Sequence, residues 1–299
     1  MRTAFITKLI ELARKDDSIF LVVGDLGYSV VEPFANEFPT RFLNAGIAEQ
    51  NMTGMAAGLA KEGFNVFTYS IGNFPTLRAM EQIRYDVCYH NLNVNIVSVG
   101  AGFAYGSLGA SHHATEDIGM MRTLPNMRVF SPGDPLEAQL VTEYVANHPG
   151  PSYLRIGKAG ESLVHKPNQD ISIQKIIPVI IKTNSDTAVI ATGSILNYAY
   201  EYLKENQEKP YDLYSCPTIK PIDKDSLVKL AEKYSQLITL EEHQKSAGFG
   251  SMILESFHDL MEKYPDFVLP KIKRIAIPDA FINVSGSQTF LRQQMGLIF

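Results

Sequence analysis

Along the first two-thirds of the chain the apolar residues alternate between two periods. Over residues 4–14, Phe5, Leu9 and Leu12 fall on one stripe at helical spacing. IFLVV (19–23) is an unbroken β-branched and aromatic run ending at Gly24, the pattern of a strand buried on both faces. Residues 47–61, rich in small side chains, predict a helix. VFTYS (66–70) and VNIVSVG (94–100) predict strands with a helix over about 75–90 between them. A helix near 115–122, a strand near 127–131, a helix over 134–147 and a strand over 152–156 complete the series. Repeated strand–helix–strand units predict an α/β fold, a mostly parallel sheet with helices on both faces.

Residues 157–178 lose all apolar period and become polar with Gly and Pro, as a linker does. The alternation then resumes, with strands at TAVIATGS (187–194), YDLYS (211–215), LITLEEH (237–243) and IKRIAIP (272–278). Helices are expected over 195–207, 223–234 and 250–262. The chain therefore divides into a first α/β domain over 1–160, a linker over 161–180 and a smaller α/β domain over 181–299. Each domain is expected to be built on its own mostly parallel sheet.

Composition narrows the function classes. A net charge of −5 gives no electrostatic footprint for nucleic acid or an anionic membrane. Lys8, Glu11 and Arg14 interrupt the N-terminal apolar run, against a secretory signal, and no stretch reaches the ~18–20 apolar residues of a membrane span. The only two cysteines, Cys88 and Cys216, are far apart with no CxxC, which argues against a disulfide framework or thiolate zinc site. The expected location is the cytoplasm.

Several residues could carry chemistry. In Gly46-Ile47-Ala48-Glu49-Gln50-Asn51, Glu49 falls at a helix start among small and apolar neighbours. The helix terminus favours the ionised carboxylate and apolar surroundings favour the acid, so a carboxyl held there can share a proton with a heterocycle nitrogen. It can equally be an ordinary first-turn glutamate. The Gly-rich segment 106–117 carries His112, His113, Glu116 and Asp117. Adjacent histidines without HxH or HxxxH spacing make a poor metal site. A loop histidine acting on substrate and a loop capped by Ser111 or Thr115 both remain open. Phe67, Tyr69 and Phe74 could be core aromatics or a platform for a flat ligand. Arg2, Ser29 and Arg155 are polar positions at the edges of apolar elements. Arg155 falls at a strand end, where open α/β sheets bind ligands. Glu241-Glu242-His243 before Gly248-Phe249-Gly250 reads as a strand end and turn ahead of a helix.

An absence matters as well. Holding a diphosphate through Mg²⁺ calls for an acidic ligand beside a Gly-rich turn. Gly24-Asp25-Leu26 and Gly133-Asp134-Pro135 come nearest, and both lack a second glycine; neither a P-loop nor GxGxxG is present.

Taken in order, GIAEQN (46–51), RAMEQIRYDV (78–87), GASHHATED (109–117), LPNMRVFSPGDPLEA (124–138), GPSYLRIGK (150–158), IATGS (190–194) and LEEHQKSAGFGS (240–251) resemble the C-terminal half of the transketolase family, including 1-deoxyxylulose-5-phosphate synthase. The resemblance covers essentially the whole chain. It is greatest to separately encoded C-terminal sections, a pyrimidine-binding domain followed by the transketolase C-terminal domain. It implies a thiamine-diphosphate enzyme that moves a two-carbon ketol unit from a ketose or ketose phosphate to an aldehyde. It further implies a partner chain with a GDG…N motif that holds the diphosphate and Mg²⁺, and an α2β2 assembly. By matching position, Glu49 would hydrogen-bond N1′ of the aminopyrimidine. Phe74, and less closely Tyr69, would stand beside the ring, with Asp25 and Leu26 near the cofactor. His112 would contact substrate oxygens and assist proton transfer. Arg2, Ser29 and Arg155 would hold a substrate phosphate.

Two positions depart from the family pattern. Leu108 stands where transketolases carry an Asp that reads a substrate hydroxyl, and Gly100 or Ala101 where they carry a phosphate-holding His. This shifts the expected substrate toward a modified or deoxy sugar or a more apolar 2-oxo donor. The alternatives within this chemistry are a 1-deoxyxylulose-5-phosphate-synthase-like subunit and a 2-oxo-acid dehydrogenase E1β-like subunit. Outside it they are a non-catalytic partner subunit retaining the fold and a nucleotide-binding α/β module.

Overall fold

The apolar runs become the inner strands of two sheets. The computed structural model describes residues 1–166, 169–182 and 184–298. Pro167 and Asn168 of the expected linker, with Thr183 and Phe299, lie outside the described residues. In chain order the first part comprises α1 (Arg2–Ala13), β1 (Ile19–Val23), α2 (Glu32–Glu37), β2 (Phe42–Asn44), α3 (Glu49–Lys61), β3 (Asn65–Ile71), α4 (Met80–Gln82), β4 (Val94–Val99), α5 (Asp117–Thr123), β5 (Arg128–Phe130), α6 (Pro135–Asn147) and β6 (Ser152–Ile156). The second comprises β7 (Ile177–Ile180), β8 (Thr187–Ala191), α7 (Ile195–Glu205), β9 (Tyr211–Ser215), β10 (Thr218–Lys220), α8 (Lys224–Lys233), β11 (Gln236–Gln244), α9 (Phe249–Lys263), β12 (Lys271–Ile277) and α10 (Gln288–Gln294).

The sheet orders are β10-β5-β6-β4-β3-β1-β2 and β12-β11-β8-β9-β7. All pairings are parallel except β10 with β5 and β7 with β9. The expected α/β class with two mostly parallel sheets is the class observed. Alternation along β1 explains why both faces are covered. Leu21 and Val23 enter one core with Phe5 and Leu9 of α1 and Val141 of α6, while Phe20 and Val22 enter the opposite core with Met52 and Ala56 of α3. Full burial of such a side chain contributes about 1.5–3 kcal/mol. The α3 core continues into the second sheet through Ile190, Leu237 and Ile253, and β10 joins the first sheet by pairing with β5. The two sheets are therefore packed on one another rather than joined by the linker alone.

The expected helix over 75–90 is broken into three. A 3-10 turn at Leu77–Ala79 leads into α4, which continues as a π-helix over Ile83–Cys88. β2 and β10 are three residues long, below the length at which alternation can be read.

The linker is tied back by a buried polar network. Asp134 caps α6 by accepting from Glu137 N at 2.9 Å, and its other oxygen accepts from the backbone N–H groups of Val164 and His165, each at 3.0 Å. His165 Nε2 bonds Glu137 Oε1 at 2.8 Å, and Glu137 Oε2 accepts from Gly133 N at 2.6 Å. These three residues are grouped closely enough to hold a metal ion. Both carboxylates, however, are already bonded by backbone N–H groups and His165. Burial opposes charge on His165, but the hydrogen bond and charge of Glu137, with Asp134, outweigh it and raise its pKa above 6.5. A raised folded pKa contributes stability fully present below the unfolded value and lost as pH rises through the folded pKa. Thermal midpoints measured across pH should therefore fall more steeply above pH 6.5 in the wild type than in His165→Gln; parallel curves would remove this role.

Candidate active site

The order β1–β2 on one side and β1–β3 on the other makes the crevice beside β1 the point where the strand order reverses. Ligands of open α/β sheets bind there, beyond the strands' carboxyl ends. The loops leaving that edge carry Asp25 after β1, Glu49 after β2, Phe74 after β3 and His112 after β4.

Glu49 is the first residue of α3 and only 1% exposed. Arg78 Nη1 donates to its Oε2 at 2.8 Å, and the Arg78 guanidinium lies 4.8 Å from the Phe74 ring centroid. Phe74 meets His112 edge to face at 5.3 Å between centroids. His112 Nδ1 is 3.0 Å from Ser111 Oγ. Asn73 Nδ2 donates to the His113 carbonyl, tying the β3 loop to the histidine turn. An unbroken line of contacts thus runs from Glu49 through Arg78 and Phe74 to His112. Phe74, Arg78 and Ser111 line a cavity of about 780 Å³ whose far wall, including Gln244 and Ile282, comes from the second domain.

His113 also lines this cavity, although its place in the Gly-rich segment assigns it no role of its own. It is 5% exposed, its Nε2 is buried without a hydrogen-bond partner, and its ring packs edge-on against Phe103 at 5.1 Å. Desolvation holds its pKa below the ordinary value, against the opposing pull of the Gly106 backbone, Glu116 and Glu242. Arg78 is a second site residue: it opens the RAMEQIRYDV segment (78–87), whose resemblance gives it no role of its own.

Asp25 has φ +53°, and its Oδ1 accepts from Asn44 Nδ2 at 2.9 Å; Leu26 beside it is half-buried. Ser29 is exposed on the β1–α2 turn, its N–H donating to Glu32 Oε1 at 2.8 Å. Arg2 is half-buried with Nε unpaired, next to Tyr105.

Two residues expected to contact ligand lie in the interior. Tyr69 is 1% exposed and stacks on Phe5 at 6.0 Å inside the α1 core, where desolvation raises its pKa; it packs as a core aromatic. Arg155 is 1% exposed, and two of its three guanidinium nitrogens are bonded within the protein. Its Nε donates to Asp117 Oδ2 at 2.7 Å, and its Nη2 donates to Ala114 O at 2.7 Å and Glu242 O at 2.9 Å. Burial disfavours its charge, but Asp117, Tyr153 and Glu242 together hold its pKa above the ordinary value.

On the second domain, Glu241 accepts from Phe249 N at 2.5 Å and Gly250 N at 2.8 Å, capping α9; burial pushes its carboxyl up to about 7. His243 Nε2 accepts from Gly119 N at 3.2 Å, and desolvation lowers its pKa, so the ring is a neutral tie between domains. Among the described residues no helix is long and apolar enough to cross a membrane.

A carboxylate at a helix start beside an aromatic wall, at the switch point of a parallel sheet, is the arrangement of a pyrimidine-binding α/β domain. The family models agree: "Transketolase, pyrimidine binding domain" matches residues 1–160 and "Transketolase, C-terminal domain" matches 179–297. The chain belongs to the transketolase family, whose members depend on thiamine diphosphate, and it is similar along both domains to proteins named as separately encoded transketolase sections. It is 35% identical to the B subunit of the apulose-4-phosphate transketolase of Phocaeicola vulgatus, over 86% of this chain and 83% of that protein. It is 36% identical to the putative transketolase C-terminal section of Methanocaldococcus jannaschii, over 99% and 92%. The solved structure of a split gene transketolase, an inactive beta4 tetramer, superposes with a TM-score of 0.82 at 32% identity, covering 99% of this chain and 93% of that one.

Proposed function

We propose that this chain supplies the pyrimidine-activating half of a two-carbon ketol transferase and is active only with an N-terminal-section subunit. The observation that carries the reading is the buried Glu49 carboxylate at the first turn of α3, in line with Phe74 and His112. Aminopyrimidine recognition calls for a carboxyl at a ring nitrogen and a flat apolar wall, and Glu49 and Phe74 are suited to both. When bound, thiamine diphosphate supplies the carbanion that the side chains themselves cannot generate.

Glu49 would share a proton with the pyrimidine nitrogen, with Arg78 balancing the buried charge until the ring takes its place. Phe74 would orient the ring. His112, held by Ser111, would bond the donor's hydroxyl oxygens and move a proton during cleavage and transfer. Asp25 and Leu26 would approach the cofactor beside β1, and Arg2 and Ser29 remain the proposed contacts to a substrate phosphate. The Mg²⁺ ligands and diphosphate cradle are assigned to the partner chain, in an α2β2 assembly located in the cytoplasm. The solved split-gene relative is an inactive tetramer of β chains, which supports the need for a partner.

Leu108 is 55% exposed on the β4–α5 loop and offers no hydrogen bond where the family pattern has an Asp. A site lacking that acceptor should favour donors modified or deoxygenated at the matching position. The test is a ketose panel assayed on the co-purified complex with thiamine diphosphate and Mg²⁺. Leu108→Asp should shift kcat/KM toward unmodified ketose phosphates by about 10-fold or more, the scale of one hydrogen-bonded hydroxyl. An unchanged ranking of donors would remove Leu108 from specificity.

A further inference from the structure

The second domain grips the histidine loop through a buried carboxylate to which the proposed chemistry gives no task. Glu242, near the end of β11, is 2% exposed. Its Oε1 accepts from the Phe103 N–H at 2.5 Å and from Gln288 Nε2 at 2.9 Å, and its Oε2 accepts from Arg292 Nε at 2.6 Å. Its backbone oxygen accepts from the same Arg155 Nη2 that donates to Ala114 O.

Phe103 and Ala114 are the feet of the loop. Gly102 N donates to Ala114 O and Ala114 N to Gly102 O, both at 3.0 Å, closing the loop at its base. Gly102 has φ +59°, and a Cβ there would stand 2.5 Å from Glu242 Cγ, so the carboxylate fills space that only glycine leaves open. Between the feet the loop presents Leu108 and His112. A charge-assisted bond to a backbone N–H is among the stronger and more directional hydrogen bonds. Here it fixes one foot to the second domain, while Arg155 ties the other foot to Glu242's own backbone.

We infer that Glu242 is a positioning residue: it sets the base of the β4–α5 loop and thereby where His112 and Leu108 meet the donor sugar. The inference rests on the reading of His112 as a substrate contact. Misplacement of a reacting group by ~1 Å can cost about 10²-fold in rate, so the effect should appear in donor kinetics. Cofactor affinity, which reads the Glu49–Phe74 end, should be spared.

The experiment uses the complex with its N-terminal-section subunit and compares Glu242→Ala, Glu242→Gln, His112→Ala and Glu255→Gln. Glu242→Ala is expected to raise donor KM, lower kcat and reduce kcat/KM by about 10²-fold, with the dissociation constant for thiamine diphosphate within about twofold of wild type. Glu242→Gln keeps an oxygen for the Phe103 N–H and should recover at least about tenfold of that loss, one step of the hydrogen-bond scale. Glu255→Gln breaks the cross-domain pair with Arg122, which does not touch the loop, and should leave both constants unchanged. Wild-type donor kinetics in Glu242→Ala would overturn the proposal. So would an equal loss of cofactor affinity, which marks a general structural role. If Glu242→Ala does not assemble, Gly102→Ala perturbs the same contact from the loop side: a donor-specific loss supports the proposal and wild-type kinetics overturns it. If His112→Ala keeps full turnover, the loop is no substrate contact and the proposal falls with that reading. A loss in His112→Ala beside intact Glu242 variants overturns the positioning role alone.

Discussion

Glu49→Gln is expected to cut turnover of the assembled enzyme by about 10²–10⁴-fold, the range for losing a positioned acid–base group, while leaving its thermal midpoint within about 2–4 °C. Glutamine fills the same space at the first turn of α3. Its amide oxygen can still accept from Arg78, whose side chain is 48% exposed, so no cation is stranded in the interior. The variant cannot share a proton as a carboxyl does. The fold should therefore survive and the chemistry should not. Steady-state kinetics together with a thermal melt checks both halves. Full turnover would mean that Glu49 is an ordinary first-turn glutamate.

The largest stability effect is expected at Asp117. Asp117→Ala should cost about 3–5 kcal/mol, because it leaves Arg155 charged, buried and without its carboxylate. The pair is joined at 2.7 Å with both side chains withdrawn from water, and Asp117 also accepts from Tyr153 Oη at 2.6 Å. Urea denaturation at constant slope reads the shift in midpoint. Arg155→Lys separates this interior role from phosphate binding. A lysine cannot reproduce the fork that reaches Asp117, Ala114 and Glu242 at once, so the midpoint should fall sharply. A raised KM for phosphorylated donors at an unchanged midpoint would instead return Arg155 to the substrate.

Much of the architecture is legible in the sequence because it is local. IFLVV carries its burial in its composition, and the structure begins and ends the IFLVV and YDLYS strands where those runs begin and end. Glu49 is legible because a carboxyl after a glycine and small residues marks a helix start. The roles of Tyr69 and Arg155 are not, since a strand residue's facing depends on what packs above it. Tyr69 lies under α1, and Arg155 meets Asp117, 38 residues earlier, and Glu242 from the other sheet. Arg78 and Glu242 both fall in segments the sequence singles out, but their roles stay hidden for the same reason: their partners lie 29 and 139 residues away, and nothing in the sequence marks such pairs. The short strands β2 and β10 are set by pairing rather than by their own pattern.

The division of labour between two chains is tested most directly by titration. Donor turnover is measured at a fixed concentration of this chain, with thiamine diphosphate and Mg²⁺ present, as the N-terminal-section subunit is added. No turnover without the partner, rising to a plateau at one equivalent, is the expected result. Turnover by this chain alone would contradict the half-enzyme reading outright.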